Sequence, residues 1–168
     1  MSMPLVFVNI GTNRGDRRRN LSRAAAEIGR RFGYFELSHV MESEPWGFDS
    51  QNKFLNVAMV FRSDEDPLDI LHALQKIERE LGNRLAEENM QRFIPVVRKD
   101  VAGENSADFL DNHRNPDGSY ADRFLDIDIM TIEGVEMHTD ELTLPHPHLR
   151  ERPFFMEPLQ ELLDQIPS

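Results

Sequence analysis

The hydrophobic pattern at the start of the chain predicts a buried strand followed by a helix. Residues 5–12 form a nearly continuous apolar run that closes at Gly11 and a polar turn, as expected of a buried strand. In residues 17–32 the apolar side chains return every three or four positions, which is helical spacing. We therefore expect a strand over 5–12 that leads into a helix over 17–32.

Two further strands and a second helix are predicted next. Strands are indicated at 34–41 and at 54–63, the latter because its large apolar side chains alternate between two faces. Asp66 supplies an N-cap carboxylate and Pro67 suits the first helical position, so a helix should begin there. We expect this helix to end just before Gly82, since glycine is common at that point.

The remaining pattern predicts a long loop, one more strand and a short helix. Over about 83–122 the periodicity is lost and polar residues dominate, which in a small domain is typical of a lid-like loop or a disordered segment. Residues 124–132 resume as a strand, and 158–163 form a short C-terminal helix. The order predicts a single α+β domain over 1–168, with helices on one face of a mainly antiparallel sheet and the other face available for a site.

Composition narrows the class of protein. The chain has 168 residues, is 39% hydrophobic and contains no cysteine, which excludes disulfides, thiolate metal sites and a cysteine nucleophile. Its net charge of −11 argues against a broad surface for nucleic acid or anionic membranes. No apolar stretch approaches the roughly 20 residues of a membrane span. We expect an unprocessed, soluble, cytoplasmic protein, which can still bind an anionic small ligand through local arginines or bridging metal ions.

Two aspartates alternate with isoleucines in the predicted strand 124–132. The isoleucines share one face, and Asp126 and Asp128 share the other, with their Cα atoms about 7 Å apart. Neighbouring carboxylates repel each other unless positive charge lies between them. Mg²⁺ typically takes one or two carboxylates together with phosphate oxygens and water, so the pair predicts a site for magnesium and a transferring phosphate. The alternative is an exposed polar strand face, because an isolated Asp-x-Asp is common.

Arginines and histidines near this strand are suited to phosphate binding. Arg123, Arg150 and Arg152 flank the strand and the loop after it, and guanidinium groups match phosphate oxygens in two-point geometry. His146 lies between Pro145 and Pro147, and His148 follows. The prolines hold this segment extended and no cysteine or further histidine lies close by, which favours donation to a phosphate oxygen over a two-histidine metal site. Solvated surface arginines and a structural loop histidine are the alternatives.

Other polar and aromatic side chains suggest recognition of a flat heterocycle. Gln75 and Glu78 lie one turn apart on a flank of the second helix and could face a common ligand. Asn56 points away from the apolar face of its strand, while Trp46 and Phe154 lie in loops around the free face of the sheet. An amide to read the edge of a ring and aromatic side chains to stack on its plane would suit such a ligand. An exposed polar flank and a buried asparagine bonded to backbone are the alternatives.

The succession of these segments resembles the 6-hydroxymethyl-7,8-dihydropterin pyrophosphokinase family of the folate pathway. The similarity covers most of the chain outside the long loop. It rests on the order and spacing of Ile10–Asn13, Glu44–Gly47, Phe54–Asn56, Gln75–Gly82, Arg123–Ile129 and Leu142–Pro147, running on to Arg152 and Phe154.

The resemblance implies a ferredoxin-like fold and a monomeric enzyme that transfers pyrophosphate from ATP to 6-hydroxymethyl-7,8-dihydropterin with two Mg²⁺ ions. Asp126 and Asp128 would hold the metal ions, with Arg123 as a further catalytic group. ATP contacts are implied for Gln75, Glu78, Ile129, Thr143, His146 and Arg152. A pterin pocket is implied for Ser43, Glu44, Trp46, Asn56 and Phe154. The pterin hydroxymethyl oxygen would attack the β-phosphorus of ATP and release AMP.

The chain departs from the family pattern around the long loop. Asn83 and Leu85 stand where many members carry arginines, the loop is longer and lacks a tryptophan, and Glu141 and Pro147 replace an arginine and a tyrosine of some relatives. The candidates for the missing positive charge are Arg84, Arg92, Arg98 and Lys99. Two alternatives therefore stay open: a non-catalytic homologue that binds pterin or nucleotide, and a ferredoxin-like regulatory or assembly module.

Overall fold

The computed structural model describes residues 2–44, 52–93 and 124–166. The elements, in chain order, are β1 Leu5–Thr12, α1 Arg17–Phe32, β2 Phe35–Leu37, β3 Met41–Ser43, β4 Phe54–Arg62, α2 Pro67–Phe93, β5 Asp126–Ile132, β6 Met137–His138, β7 Thr143–Leu144 and α3 Pro153–Gln165. In the part of the chain that the structure describes, no helix is both long enough and apolar enough to span a membrane.

The main sheet is antiparallel and has β1 near its centre. Its strand order is β2-β4-β1-β5, with β3 paired to the other end of β4. The succession of β1, α1, the β2 to β4 strands, α2 and β5 is the split βαβ arrangement of ferredoxin-like folds. The predicted α+β class with a mainly antiparallel sheet is confirmed.

One face of the sheet carries the larger hydrophobic core. Alternate residues of β1, β4 and β5 point to this face, as the period of two requires, and α1 and α2 cover it. Ile10, Met59 and Ile28 are fully buried at this interface. Burying a side chain of this size stabilises the fold by roughly 1.5–3 kcal/mol. A strand shifted by one residue would lose this burial, so the core determines which side chains point to the opposite face.

The opposite face is divided between a helix and an open polar region. Phe7, Val60 and Met130 occupy one half, and α3 covers them with its buried apolar side chains, including Phe155 and Leu159. The expectation that all helices lie on one face is therefore wrong for α3. Its physical reason is that this half of the sheet is apolar and has to be covered, whereas the other half is polar.

Two predicted helix boundaries are also wrong. Helix α2 continues past Gly82 to Phe93, so the segment predicted as a loop from residue 83 begins as helix. An interior glycine costs roughly 1 kcal/mol in a helix, and the burial of Leu85 and Ala86 on the continued apolar stripe offsets that cost. Helix α3 begins at Pro153 rather than at residue 158, because proline is well tolerated in the first turn of a helix.

The predicted strand 34–41 is two short strands. In register, Leu37 of β2 lies opposite Met59, whereas Met41 of β3 lies opposite Asn56. Ser38 bridges the interruption, because its N–H donates to the carbonyl oxygen of Ala58 and its Oγ accepts from the N–H of the same residue. The predicted strands 54–63 and 124–132 form as β4 and β5 with slightly shorter limits.

Candidate functional site

A cavity of about 630 Å³ lies beside β5, on the open half of the sheet face. Its walls come from β1, the end of β3, the start of β4, α2, the hairpin formed by β6 and β7, and the segment that leads into α3. A cavity of this size matches the usual range for small-molecule sites. We therefore examined which of the predicted site residues line this cavity.

The two aspartates of β5 face this cavity. Asp126 and Asp128 are half-buried and alternate with the buried Ile127 and Ile129, which point into the helix-covered core. β5 is the last strand in the described sheet order, and its residues 126–129 line the cavity. The period of two thus directs both carboxylates to the same space.

A gap between two polar side chains crosses the sheet at Gly11. In register, Gly11 of β1 lies between Asn56 of β4 and Asp126 of β5. Neighbouring strands are about 4.8 Å apart, so the backbones of these outer residues are separated by roughly 9.5 Å. No side chain stands between them, because the central residue is glycine. The row forms an open floor with an amide at one end and a carboxylate at the other.

The amide of Asn56 is held in a defined orientation. Asn56 is buried, and its Nδ2 donates to Ser43 Oγ at 2.8 Å and to the carbonyl oxygen of Met41 at 3.4 Å. Its Oδ1 therefore turns towards Gly11, where a Cβ atom on the glycine would lie only 3.1 Å away. The amide presents a hydrogen-bond acceptor to the open floor.

Gln75 and Glu78 of α2 line the far wall of the cavity. Glu78 is buried, and its Oε2 accepts a hydrogen bond of 2.7 Å from the backbone N–H of Ile127. That N–H belongs to the residue between the two aspartates. Glu78 therefore binds the outer edge of β5 at the point from which Asp126 and Asp128 project.

His146 is a neutral hydrogen-bond donor at the cavity wall. Its pKa is lowered from 6.5 to about 4, first by burial and then by the charges of Arg152 and His148, against a smaller opposing effect of Asp126. The backbone N–H of His148 donates to His146 Nδ1 at 3.1 Å, so the neutral ring carries its proton on Nε2. The ring also packs edge-on against Phe155, with centroids 5.0 Å apart.

This lowered pKa predicts a stability that depends on pH in the metal-free and nucleotide-free protein. An unfolded histidine takes up its proton near pH 6.5, whereas folded His146 does so only near pH 4. The contribution of the neutral ring is complete above pH 6.5 and is lost as the pH falls to about 4. Urea unfolding of the protein and of His146→Gln should therefore diverge within this window. Equal pH dependence of the two proteins would contradict the lowered pKa.

Arg152 and Phe154 enter the cavity from the start of α3. Arg152 is the N-cap residue of that helix, and its guanidinium carbon lies 5.7 Å from the centroid of Phe154 and 5.1 Å from that of Phe155. A cation–π contact with an aromatic ring restricts a guanidinium, whose N–H donors lie in one plane. Asn9 Nδ2 donates to the backbone carbonyl oxygen of Phe154 at 2.9 Å and links this segment to β1.

The charge of the cavity wall is strongly negative. Its carboxylates are Glu44, Glu78, Asp126, Asp128, Asp140 and Glu141, and among its described residues Arg152 is the one arginine. Within the described residues, no group of three or more histidine, cysteine, aspartate or glutamate side chains could hold a metal ion. Magnesium does not require such a group, since phosphate oxygens and water complete its shell around one or two carboxylates. The pair on β5 fits a metal that arrives with a phosphate.

The cavity brings together most of the residues predicted from the sequence. Those that line it are Ser43, Glu44, Asn56, Gln75, Glu78, Asp126, Asp128, Ile129, Thr143, His146, Arg152 and Phe154. Trp46 and Arg123 lie outside the described residues, as do Arg98 and Lys99, and the side chain of Arg92 is not described. Arg150 does not line the cavity. Arg84 forms an ion pair with Glu27 of α1 at 3.7 Å, on another side of α2.

Asn9 and Asp140 line the cavity and were not predicted. Asn9 is a polar residue within the apolar run of β1. Because side chains alternate between the two faces of a strand, it lies on the face opposite to Val8 and Ile10, and that alternation could have identified it as a candidate. Asp140 lies in the turn between β6 and β7 and carries no periodic signal. Glu141, noted for its departure from the family pattern, has its Oε2 2.7 Å from Nε2 of His72 on α2, and both side chains are exposed.

Comparison with known proteins identifies one family. The model of the 7,8-dihydro-6-hydroxymethylpterin-pyrophosphokinase family matches residues 7–96 and 107–164. A 2-amino-4-hydroxy-6-hydroxymethyldihydropteridine pyrophosphokinase of Porphyromonas gingivalis is 35% identical over 163 residues, covering 95% of this chain and 91% of that protein. A protein of the same name from Bacillus subtilis is 26% identical over 164 residues, and the match covers 96% of this chain and 80% of that protein.

A solved structure supports the fold. A crystal structure of an HPPK-DHPS protein in complex with substrates superposes with a TM-score of 0.58 at 12% sequence identity. The match covers 100% of this chain and 41% of the other, which is therefore a larger protein. At this level of identity the likeness concerns the fold alone.

Proposed function

The chain belongs to the 7,8-dihydro-6-hydroxymethylpterin-pyrophosphokinase family, which makes it a pyrophosphokinase of folate biosynthesis, and we propose that the cavity beside β5 is where it acts. There it transfers pyrophosphate from ATP to 6-hydroxymethyl-7,8-dihydropterin and gives AMP and the pterin diphosphate. The observation that carries the proposal is the row of Asn56, Gly11 and Asp126 across three strands.

The row suits a pterin because of its length and its chemistry. A gap of roughly 9.5 Å between two backbones accommodates a fused pair of six-membered rings lying flat on the glycine. Asn56 Oδ1 accepts from a ring N–H at one end, since its Nδ2 is already engaged by Ser43. Phe154 supplies an aromatic surface, and Glu44 and Trp46 complete the pocket in this proposal. Asp126 then stands beside the end of the ring that bears the hydroxymethyl group.

The nucleotide occupies the part of the cavity between β5, α2 and the start of α3. Arg152 and the Nε2–H of His146 bind phosphate oxygens, and Gln75, Glu78, Ile129 and Thr143 line the remainder of the nucleotide site. Arg123 belongs to the same site in this proposal. The described wall of the cavity carries six carboxylates against Arg152, so cations are expected to accompany a triphosphate, which supports a requirement for magnesium. When bound at Asp126 and Asp128, two Mg²⁺ ions would neutralise phosphate charge.

The reaction needs no covalent enzyme intermediate. The hydroxymethyl oxygen forms a bond to the β-phosphorus and loses its proton to solvent, while the bond from that phosphorus to the α-phosphate oxygen breaks and AMP leaves with that oxygen. The chain contributes by positioning: Asn56 and Phe154 orient the ring, and Arg152 and His146 hold the phosphates in line with it. Orientation and fixed dipoles of this kind account for most of the acceleration expected in phosphoryl transfer.

Gly11→Ala should weaken pterin binding. A Cβ atom at this position would lie 3.1 Å from Asn56 Oδ1 and 3.6 Å from Phe54 Cδ1, so the amide has to shift and the methyl group fills the floor. We expect the KM for the pterin to rise about 10-fold, with the KM for ATP little changed. Steady-state kinetics with each substrate varied in turn measures both values. An unchanged pterin KM would show that the pterin does not lie over Gly11.

A turnover assay tests the function. The protein is incubated with ATP and 6-hydroxymethyl-7,8-dihydropterin, with magnesium or with excess EDTA, and the products are separated by chromatography. We expect AMP and pterin diphosphate in equal amounts, and no reaction with EDTA. Formation of ADP, or magnesium-dependent hydrolysis of ATP without a pterin product, would contradict pyrophosphoryl transfer.

The rival candidate is a homologue that binds the substrates without efficient transfer. It is favoured by Glu141, which places a carboxylate in the cavity wall where some relatives carry arginine. Calorimetric binding of pterin and of an ATP analogue, together with no AMP in the turnover assay, would support it. Stoichiometric AMP and pterin diphosphate exclude it.

A further inference from the structure

Helix α3 contains a proline that leaves one carbonyl group without its usual helical donor. Within an α-helix the carbonyl oxygen of each residue accepts from the N–H four positions later. The residue four positions after Phe154 is Pro158, which lies inside α3 and has no N–H. The carbonyl oxygen of Phe154, in a half-buried residue, therefore lacks the N–H four positions later as its donor, and a donor from another part of the chain can take that place.

Asn9 supplies that donor. Its Nδ2 lies 2.9 Å from the carbonyl oxygen of Phe154, and the residue is 2% exposed, so water does not compete freely for the bond. Asn9 lies in the centre of the sheet and is paired across β1 and β5 with Asp128. One hydrogen bond thus connects the first turn of α3 to the position in the sheet that faces Asp128.

We propose that Asn9 is a positioning residue of the site, and that its bond to the Phe154 carbonyl fixes the first turn of α3 over the cavity. That turn carries Arg152 and Phe154, whose side chains line the cavity. Without the bond, the turn can tilt away from the sheet, and the side chains of Arg152 and Phe154 then move away from Asp128. What Arg152 and Phe154 bind rests on the proposed function. The hydrogen bond between Asn9 and the Phe154 carbonyl is independent of it.

The proline provides a matched rescue experiment. Asn9→Ala removes the external donor, and Pro158→Ala creates an N–H that can bind the Phe154 carbonyl from within the helix. The four proteins to compare are the wild type, each single variant and the double variant, with Pro158→Ala alone controlling for lost packing of the buried proline. For each we would measure the KM for pterin and for ATP, kcat, and the backbone amide NMR shifts of Arg152, Phe154 and Phe155.

We expect Asn9→Ala to raise the pterin KM about 10-fold and to move the amide resonances of that turn, and the double variant to regain much of both. If Asn9→Ala does not fold, recovery of folding by Pro158→Ala tests the same contact. Kinetics and resonances of Asn9→Ala that match the wild type would overturn the proposal, as would a double variant no better than Asn9→Ala. A wild type without turnover would instead refute the proposed function, and the resonances alone would then decide the positioning role.

Discussion

Asp126→Asn and Asp128→Asn are each expected to lower kcat by roughly 100-fold or more while the protein stays folded. Asparagine keeps the shape of the side chain but removes the charge that would bind magnesium. Both residues are half-buried on the open face of β5 and face the cavity, whereas the core is built by the alternate isoleucines. Thermal unfolding should occur at the same temperature or a higher one, because a pair of neighbouring like charges is relieved.

The matched control is Asp164→Asn, which makes the same chemical change on the exposed part of α3, where Asp164 accepts a hydrogen bond from Gln160. Magnesium-dependent formation of AMP should be close to that of the wild type in this control. Turnover of both β5 variants within a few-fold of the wild type would rule out a metal-binding role for the pair.

Arg152→Ala should have the second large effect, a fall in kcat of roughly 100- to 1000-fold. Among the described residues of the cavity wall it is the one arginine, so its loss leaves a predominantly acidic wall against the phosphates. Arg152→Lys should recover only part of the rate, because an ammonium group cannot bind two phosphate oxygens in the planar arrangement of a guanidinium. Steady-state kinetics with saturating pterin measures both variants.

Arg150→Ala is the internal control for this prediction. It removes the same charge two positions away, from an exposed residue that does not line the cavity. Near-normal kcat for Arg150→Ala together with a large loss for Arg152→Ala would separate direct phosphate binding from a general effect of net charge. Equal, small effects of the two changes would contradict the role of Arg152.

The sequence predicts the sheet better than the helix limits, for a physical reason. Helix α1 buries side chains at helical spacing, and β4 is an apolar run that is buried along nearly its whole length, so the apolar residues mark both elements. Helix α2 does not end at Gly82, because the energetic cost of one glycine is smaller than the gain from burying Leu85 and Ala86 beyond it. That gain depends on tertiary contacts with α1 and the sheet, which local propensity does not contain.

The site, too, is predicted only as far as local sequence patterns reach. Alternation along a strand places Asp126, Asp128 and Asn56 on the open face, and the structure brings all of them to one cavity. Their roles in binding metal and pterin stay predictions. The bond between Glu78 and the N–H of Ile127 joins residues far apart in sequence and has no local signal. The role of Asn9 follows only once α3 is known to start at Pro153, since that start makes Pro158 an interior residue.

The most direct test of the proposed site is a crystal structure of the protein with magnesium, a non-hydrolysable ATP analogue and 6-hydroxymethyl-7,8-dihydropterin. We expect Mg²⁺ bound by Asp126 and Asp128, phosphate oxygens bound by Arg152, and the pterin ring over Gly11 between Asn56 and Asp126. Metal density away from both aspartates, or a pterin bound outside the cavity beside β5, would contradict it.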